Sequence, residues 1–218
     1  MEKLSKLSIQ NYSLYLVLTE EYGTGRPLIQ IAESALTGGV DIIQMREKHK
    51  SREELLSLGR KLSALCRKRK KTFIVNDDPL LAAELEADGV HMGQEDLQNC
   101  PVDEVRRIIG GGRILGISTH SLAQFRQANE MDADYLAFGP IFPTRAKDYF
   151  IGMGDISEVL RIATKPVFFI GGVNTANLHL LLNEGVTNVA LIRDLMQTED
   201  IESRAEWYKT QLARRRKQ

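Results

Sequence analysis

Short apolar runs alternate along the chain with longer stretches whose apolar positions recur at helical spacing. Tyr15-Leu16-Val17-Leu18-Thr19 predicts a first strand, apolar on both faces. Pro27 opens a helical pattern through Leu28, Ile31, Ala32, Ala35 and Leu36, which Gly38-Gly39 stops. Val40 to Gln44 reads as the second strand. Ser51 followed by Glu54 is a capping box, and the helix it starts carries Leu55, Leu58, Leu62 and Leu65 on one stripe. Strands are then predicted at 72–75, 89–92, 114–118, 135–138, 166–170 and 189–192. Helices are predicted between them at 79–87, 101–109, 121–131, 155–163 and 174–183, with a last one at 201–214. A long Gly/Pro-rich loop, 139–154, follows the sixth strand.

Strand runs that are apolar throughout belong to parallel sheets covered on both faces. Strict alternation of strand and helix implies right-handed parallel crossovers. About eight such units without a linker predict an α/β fold, a (β/α)8 TIM barrel, with 1–218 as a single domain. The competing fold is a doubly wound open sheet. It calls for a Gly-rich fingerprint after the first strand, and Glu20-Glu21-Tyr22-Gly23 is not one.

Charge and composition narrow the function. The formal net charge is zero and 27% of residues are charged, which argues against a partner that is nucleic acid or an anionic membrane. The basic end, Arg214 to Lys217, reads as a solvated helix terminus. Cys66 and Cys100 have no metal spacing and are expected to be reduced thiols of a cytoplasmic protein. No run approaches the roughly 18 apolar residues of a membrane span, and the first residues lack the apolar core of a signal peptide. The expected partners are small molecules, and assembly into a homo-oligomer is left open.

A barrel of this kind carries its chemistry at the C-terminal ends of its strands. Those ends are polar and mutually different here. Arg46 and Lys48 follow the second strand, two residues apart, and suit a phosphate as a fork and a point charge. The alternative is a surface ion pair with Glu47 or Asp41. Asp77 and Asp96 follow the third and fourth strands and suit Mg2+, which takes one or two carboxylates plus waters and phosphate oxygens. The alternative is helix capping, with Asp78 before Pro79 the better cap. Gly171-Gly172 lets backbone amides approach a phosphate at the start of a helix, or is only a tight turn. Thr144, Arg145 and Lys147 lie in the long loop. His91, inside the fourth strand, reads as an interior histidine, and His120 precedes a helix that Ser121 caps. No nucleophile–base pattern, phosphate-binding loop or zinc spacing is present.

Taken together and in order, these segments resemble the thiamine-phosphate synthase family. The resemblance rests on Gln44-x-Arg46-x-Lys48, Asn76-Asp77, Asp88 through Asp96, Gly116-x-Ser118-x-His120, Asp134-Tyr135, Gly139 to Thr144, Lys147 and Ile170 to Gly172. It covers about residues 14 to 195. It implies a Mg2+-dependent transferase that joins 4-amino-5-hydroxymethyl-2-methylpyrimidine diphosphate to hydroxyethylthiazole phosphate and releases pyrophosphate. It further implies that Gln44, Arg46, Lys48, Asn76, Ser118 and Lys147 hold the pyrimidine diphosphate. Among these, Arg46, Lys48 and Lys147 would neutralise the leaving group. Asp77 and Asp96 would bind Mg2+, and Thr144, Gly172, Ile192 and Arg193 would bind the thiazole phosphate. Two positions depart from the family pattern: Ala146 stands where a second Thr is common, and Arg193 where a Ser is common. Arg193 would bind the phosphate more strongly, pair with Asp194, or mark a changed acceptor. The related thiazole tautomerase and a non-catalytic phosphate-ligand sensor on the same barrel are the alternatives.

Overall fold

A computed structural model describes residues 14–144 and 148–214. The strands are β1 (Leu14–Leu18), β2 (Ile42–Met45), β3 (Thr72–Asn76), β4 (Gly89–Met92), β5 (Ile114–Thr119), β6 (Tyr135–Phe138), β7 (Val167–Ile170) and β8 (Val189–Leu191). They close into a parallel barrel in sequence order, β8 pairing with β1 through Leu14↔Val189 and Tyr15↔Ala190. The helices are α1 (Leu28–Thr37), α2 (Arg52–Arg69), α3 (Pro79–Glu84), α4 (Gln94–Asn99), α5 (Val102–Ile109), α6 (Leu122–Glu130), α7 (Ile156–Ile162), α8 (Leu178–Glu184), α9 (Arg193–Met196) and α10 (Ile201–Arg214).

Continuous apolar strands give two cores. The outward side chains, such as Leu16, Ile43, Phe73, Val90, Leu115 and Phe138, pack under the helices. The inward ones, Tyr15, Val17, Ile42, Ile74, Ile114, Tyr135, Phe168 and Ala190, fill the barrel. Burying each such side chain contributes about 1.5–3 kcal/mol, which fixes the register of every strand. That same period of two aims Gln44, Asn76, His91 and Ser118 inward on β2 to β5, where they form the floor of the open end.

The lower rim is stitched by a recurring device. Asp41, just before β2, accepts the N–H of Leu14 at the start of β1 at 3.0 Å. Asp88, before β4, accepts Phe73 N–H of β3 at 2.8 Å, and Asp134, before β6, accepts Leu115 N–H of β5 at 2.8 Å. Asn188, before β8, donates instead to the Val167 carbonyl of β7 at 3.3 Å. Lys71 and Lys209 pair with Asp41, both at 2.6 Å, and Arg106 pairs with Asp134 at 2.8 Å. Asp41 and Asp134 are therefore each paired with cations at the lower rim.

The capping box of α2 is present: Ser51 Oγ accepts Glu54 N–H at 3.3 Å and Glu54 Oε2 accepts Ser51 N–H at 2.8 Å. Four details differ from the sequence expectation. Helices α4 and α9 were not foreseen, because four to six residues do not display a helical period. Helix α3 stops at Glu84 rather than Ala87, where Glu86 takes a positive φ of 49°. Helix α8 starts at Leu178 rather than Asn174. Asn174 Oδ1 accepts from Ala176 N at 2.9 Å and Asn177 N at 3.2 Å, and this side-chain turn displaces the first helical turn. Among the described residues no helix is long and apolar enough to cross a membrane.

Candidate active site

The open end of the barrel holds a cavity of about 910 Å³. It is lined by Gln44, Arg46, Lys48, Asn76, Asp77, Asp96, Ser118, Thr144, Gly172, Ile192 and Arg193, so every described residue expected to hold substrate or metal converges there. Lys147, Arg145 and Ala146 lie outside the described residues.

The acidic side is built by two consecutive βα turns. Asp78 takes the capping duty, its Oδ1 accepting Leu81 N–H at 2.7 Å, and this leaves Asp77 for the cavity. Asp77 has a positive φ of 59°, a conformation that Asp and Asn tolerate best among residues with a side chain. Its Oδ1 accepts Gly93 N–H at 2.8 Å and its Oδ2 accepts from the Asn76 amide. Asp96 sits in the first turn of α4, not in a loop, and Gln94 ties that turn to the Ser118 carbonyl at 2.6 Å. The two carboxylates close on Gly93: a Cβ there would lie 2.7 Å from Asp96 Oδ2 and 3.6 Å from Asp77 Oδ1. Burial first, and then the neighbouring Asp96, push the Asp77 carboxyl up to about 6, although the Gly93 N–H works the other way. Among the described residues no Lys or Arg forms an ion pair with either carboxylate.

Two crowded hard-oxygen donors with no internal counter-charge fit a divalent cation. Among the described residues no group of three or more His, Cys, Asp and Glu side chains gathers, so an all-protein cage is absent. Mg2+ suits such a site, since it keeps waters and takes substrate oxygens.

The basic side faces it. Asp41 is occupied at the lower rim and Glu47 accepts Glu20 N–H at 2.6 Å, so neither expected ion pair with Arg46 or Lys48 forms. Both cations line the cavity, Arg46 half-buried and Lys48 exposed. Arg193 also lines it, with its guanidinium 6.0 Å from the centre of the Tyr22 ring. The alternative pair with Asp194 is overturned: Asp194 Oδ2 binds Arg204 and the Tyr208 hydroxyl, at 2.8 and 2.7 Å. Burial raises the Tyr22 phenol, while Arg193 and Arg46 both act on it in the opposite sense. Glu21 adds to the effect of burial, so the Tyr22 phenol feels a carboxylate as well as the two guanidinium groups.

Gly171 and Gly172 both take positive φ, 98° and 65°. They fold against the β6 loop, where Phe142 N–H bonds the Gly171 carbonyl at 3.0 Å. With α8 beginning four residues later than expected, the amide cradle here is the turn alone. The His120 ring is held by the Gly139 carbonyl, 2.6 Å from Nδ1. His91 is buried, as expected of an interior histidine, and burial followed by the charge of His120 lowers it to about 4. Tyr15, Tyr22 and Phe168 also line the cavity and were not foreseen, and Gln94, which lies in the segment Asp88 through Asp96, lines it too. The signal for Tyr15 was its inward phase, two residues from Val17 in the first strand.

Known proteins resemble this chain in sequence and in fold. The family model described as thiamine monophosphate synthase matches residues 14–195. The thiamine-phosphate synthase of Halalkalibacterium halodurans is 35% identical over 210 residues, covering 95% of this chain and 98% of that protein. That of Persephonella marina is 37% identical over 196 residues, covering 89% and 92%. The solved thiamine phosphate pyrophosphorylase of Pyrococcus furiosus superposes with a TM-score of 0.84 at 31% identity, covering 94% of this chain and 97% of that one. A model match over most of the chain, full-length relatives and a common barrel agree: the chain belongs to the thiamine-phosphate synthase family.

Proposed function

We infer that the protein couples 4-amino-5-hydroxymethyl-2-methylpyrimidine diphosphate to hydroxyethylthiazole phosphate, giving thiamine phosphate and pyrophosphate. The observation that carries the reading is the division of one cavity into a carboxylate pair that forms no ion pair with a described cation, Asp77 and Asp96, and cations that form none with a described carboxylate, Arg46, Lys48 and Arg193. A diphosphate with a divalent ion satisfies both halves at once.

In this reading Gln44, Asn76 and Ser118 on the barrel floor orient the pyrimidine end, while Arg46 and Lys48 grip the diphosphate. Asp77 and Asp96 hold Mg2+, which neutralises charge on the diphosphate when bound. The bond that breaks joins the diphosphate oxygen to the carbon beside an electron-rich aminopyrimidine. As it breaks, negative charge grows on the departing oxygen, and Arg46 and Lys48 stabilise that charge where it appears. Lys147 is assigned the same duty. The thiazole nitrogen then bonds to the freed carbon, and the barrel contributes by holding the two rings in line. Thr144, Gly172, Ile192 and Arg193 bind the phosphate of the second substrate, with Arg193 supplying a fork-shaped donor where a hydroxyl is common.

The test is direct. The purified protein is mixed with both substrates and Mg2+, and pyrophosphate and thiamine phosphate are measured. Their formation in equal amounts supports the reading. Isomerisation of the thiazole phosphate without coupling, or binding without turnover, rejects it.

A further inference from the structure

Below the cavity the barrel interior is crossed by a single hydrogen-bonded chain. Gln44 Nε2 donates to Tyr15 Oη at 2.7 Å. Tyr15 Oη lies 2.9 Å from Tyr135 Oη, and Tyr135 Oη lies 2.8 Å from His91 Nδ1. His91 Nε2 lies 2.8 Å from Ser118 Oγ. Five residues from five strands are thus joined end to end. All but Ser118 are buried, and the His91 and Tyr135 rings stack at 5.5 Å.

The Gln44 end of the chain is set, because an amide nitrogen only donates. Continued in the same sense, Tyr15 gives its hydrogen to Tyr135, and Tyr135 gives its own to His91 Nδ1, which is then bare. In that arrangement the ring proton sits on Nε2 and points at Ser118 Oγ. Neither ring partner is a carboxylate, so a second ring proton would be a buried charge without a counter-ion. With its oxygen accepting from His91, Ser118 keeps its hydrogen for the cavity.

We propose that His91, aligned by Tyr135, is a positioning residue that holds Ser118 as a hydrogen-bond donor to an acceptor atom of the pyrimidine diphosphate. This rests on the reading that Ser118 meets that substrate. The sequence makes room for the relay at one place: a Cβ on Gly116, which neighbours both His91 and Tyr135 in register, would lie 2.1 Å from Tyr135 Cζ. A barrel that needed only volume at β6 would be served by Phe. The hydroxyl of Tyr135 matters because it sets which ring nitrogen of His91 is bare.

Two measurements test this. In the ligand-free full-length protein labelled with 15N-histidine, the ring nitrogens of His91, assigned by their loss in His91→Gln, should show a protonated Nε2 and a bare Nδ1 at neutral pH. The opposite tautomer or a doubly protonated ring overturns the proposal, and no substrate or variant fold enters that result. Second, Ser118→Ala and Tyr135→Phe are compared alone and combined. Each should lower kcat/KM for the pyrimidine diphosphate about fivefold to tenfold, the worth of one net hydrogen bond, and leave KM for the thiazole phosphate unchanged. The double variant should be no worse than Ser118→Ala, because Tyr135 acts through Ser118. Losses that multiply, or wild-type kinetics in Tyr135→Phe, overturn it. A wild-type protein that forms no thiamine phosphate rejects the substrate assignment instead, and the histidine signal then decides the relay on its own.

Discussion

Asp77→Asn should make the metal-free protein more stable at pH 8 while removing most of its activity. The wild-type carboxyl is pushed from 3.8 to about 6, first by burial and then by Asp96. A carboxyl raised in the folded state binds its proton more tightly there than in the unfolded chain. Folding is therefore favoured at low pH, and stability falls as pH rises from the unfolded value through about 6. At 1.36 kcal/mol per unit, the full penalty above that pH is at most about 3 kcal/mol, and relaxation around the site reduces it to roughly 1–2. Asn avoids the charge, tolerates the positive φ of 59° and keeps an acceptor for the Gly93 N–H. Urea unfolding of both proteins at pH 8 and pH 4.5 in chelator measures the gap. It should be about 1–2 kcal/mol at pH 8, smaller at pH 4.5, and close only below the unfolded value of 3.8, where the unfolded chain also takes up its proton. Added Mg2+ should stabilise the wild type and leave the variant unmoved, because binding to the folded state alone raises stability. Equal stability at pH 8, or a gap that does not shrink on acidification, would refute the account of a crowded carboxylate pair awaiting a cation.

Three further outcomes are expected. Arg193→Ser should raise KM for the thiazole phosphate at least tenfold, the loss of a charge-assisted hydrogen bond, with pyrimidine-diphosphate KM unchanged; equal effects on both would show that the cavity is not divided this way. Lys48→Ala should lower kcat about a hundredfold or more by removing a charge from the leaving group, and steady-state kinetics at saturating Mg2+ would detect it. Asp88→Ala leaves Phe73 N–H without its acceptor and should cost about 1–3 kcal/mol by urea unfolding, with both KM values intact.

The barrel was legible because each strand is short, apolar on both faces and followed by a helix with its own start or stop signal, as at Ser51 and Gly38-Gly39. Asp77 and Asp96 were legible as strand-end carboxylates, and Asp78 as the cap that frees the first of them. What stayed hidden depends on side chains meeting across the barrel. The sequence leaves Arg193 three fates, and only the capture of Asp194 by Arg204 and Tyr208, ten and fourteen residues on, removes the salt bridge. Tyr22 carries no motif, and its ring meets Arg193 because the turn after β1 comes up against the end of β8. The start of α8 was misplaced because Asn174 and Asn177 read as helix positions, whereas their side chains compete for the backbone.

The stitches along the lower rim bear on how the chain can be cut. Asp41 joins β1 to β2, Asp88 joins β3 to β4, Asp134 joins β5 to β6, and Asn188 joins β7 to β8. Each of these four side-chain-to-main-chain ties falls within one strand–helix–strand pair, while the Lys71–Asp41 and Arg106–Asp134 ion pairs reach from one pair to the next. A circular permutant opened at the exposed Gly110-Gly111-Gly112 connection, between β4 and β5, keeps every tie inside an unbroken stretch of chain. One opened at Glu86, between β3 and β4, turns the Asp88 tie into a contact between opposite ends of the polypeptide. The lower rim, away from the chemistry, therefore sets which chain breaks keep these four ties local in sequence.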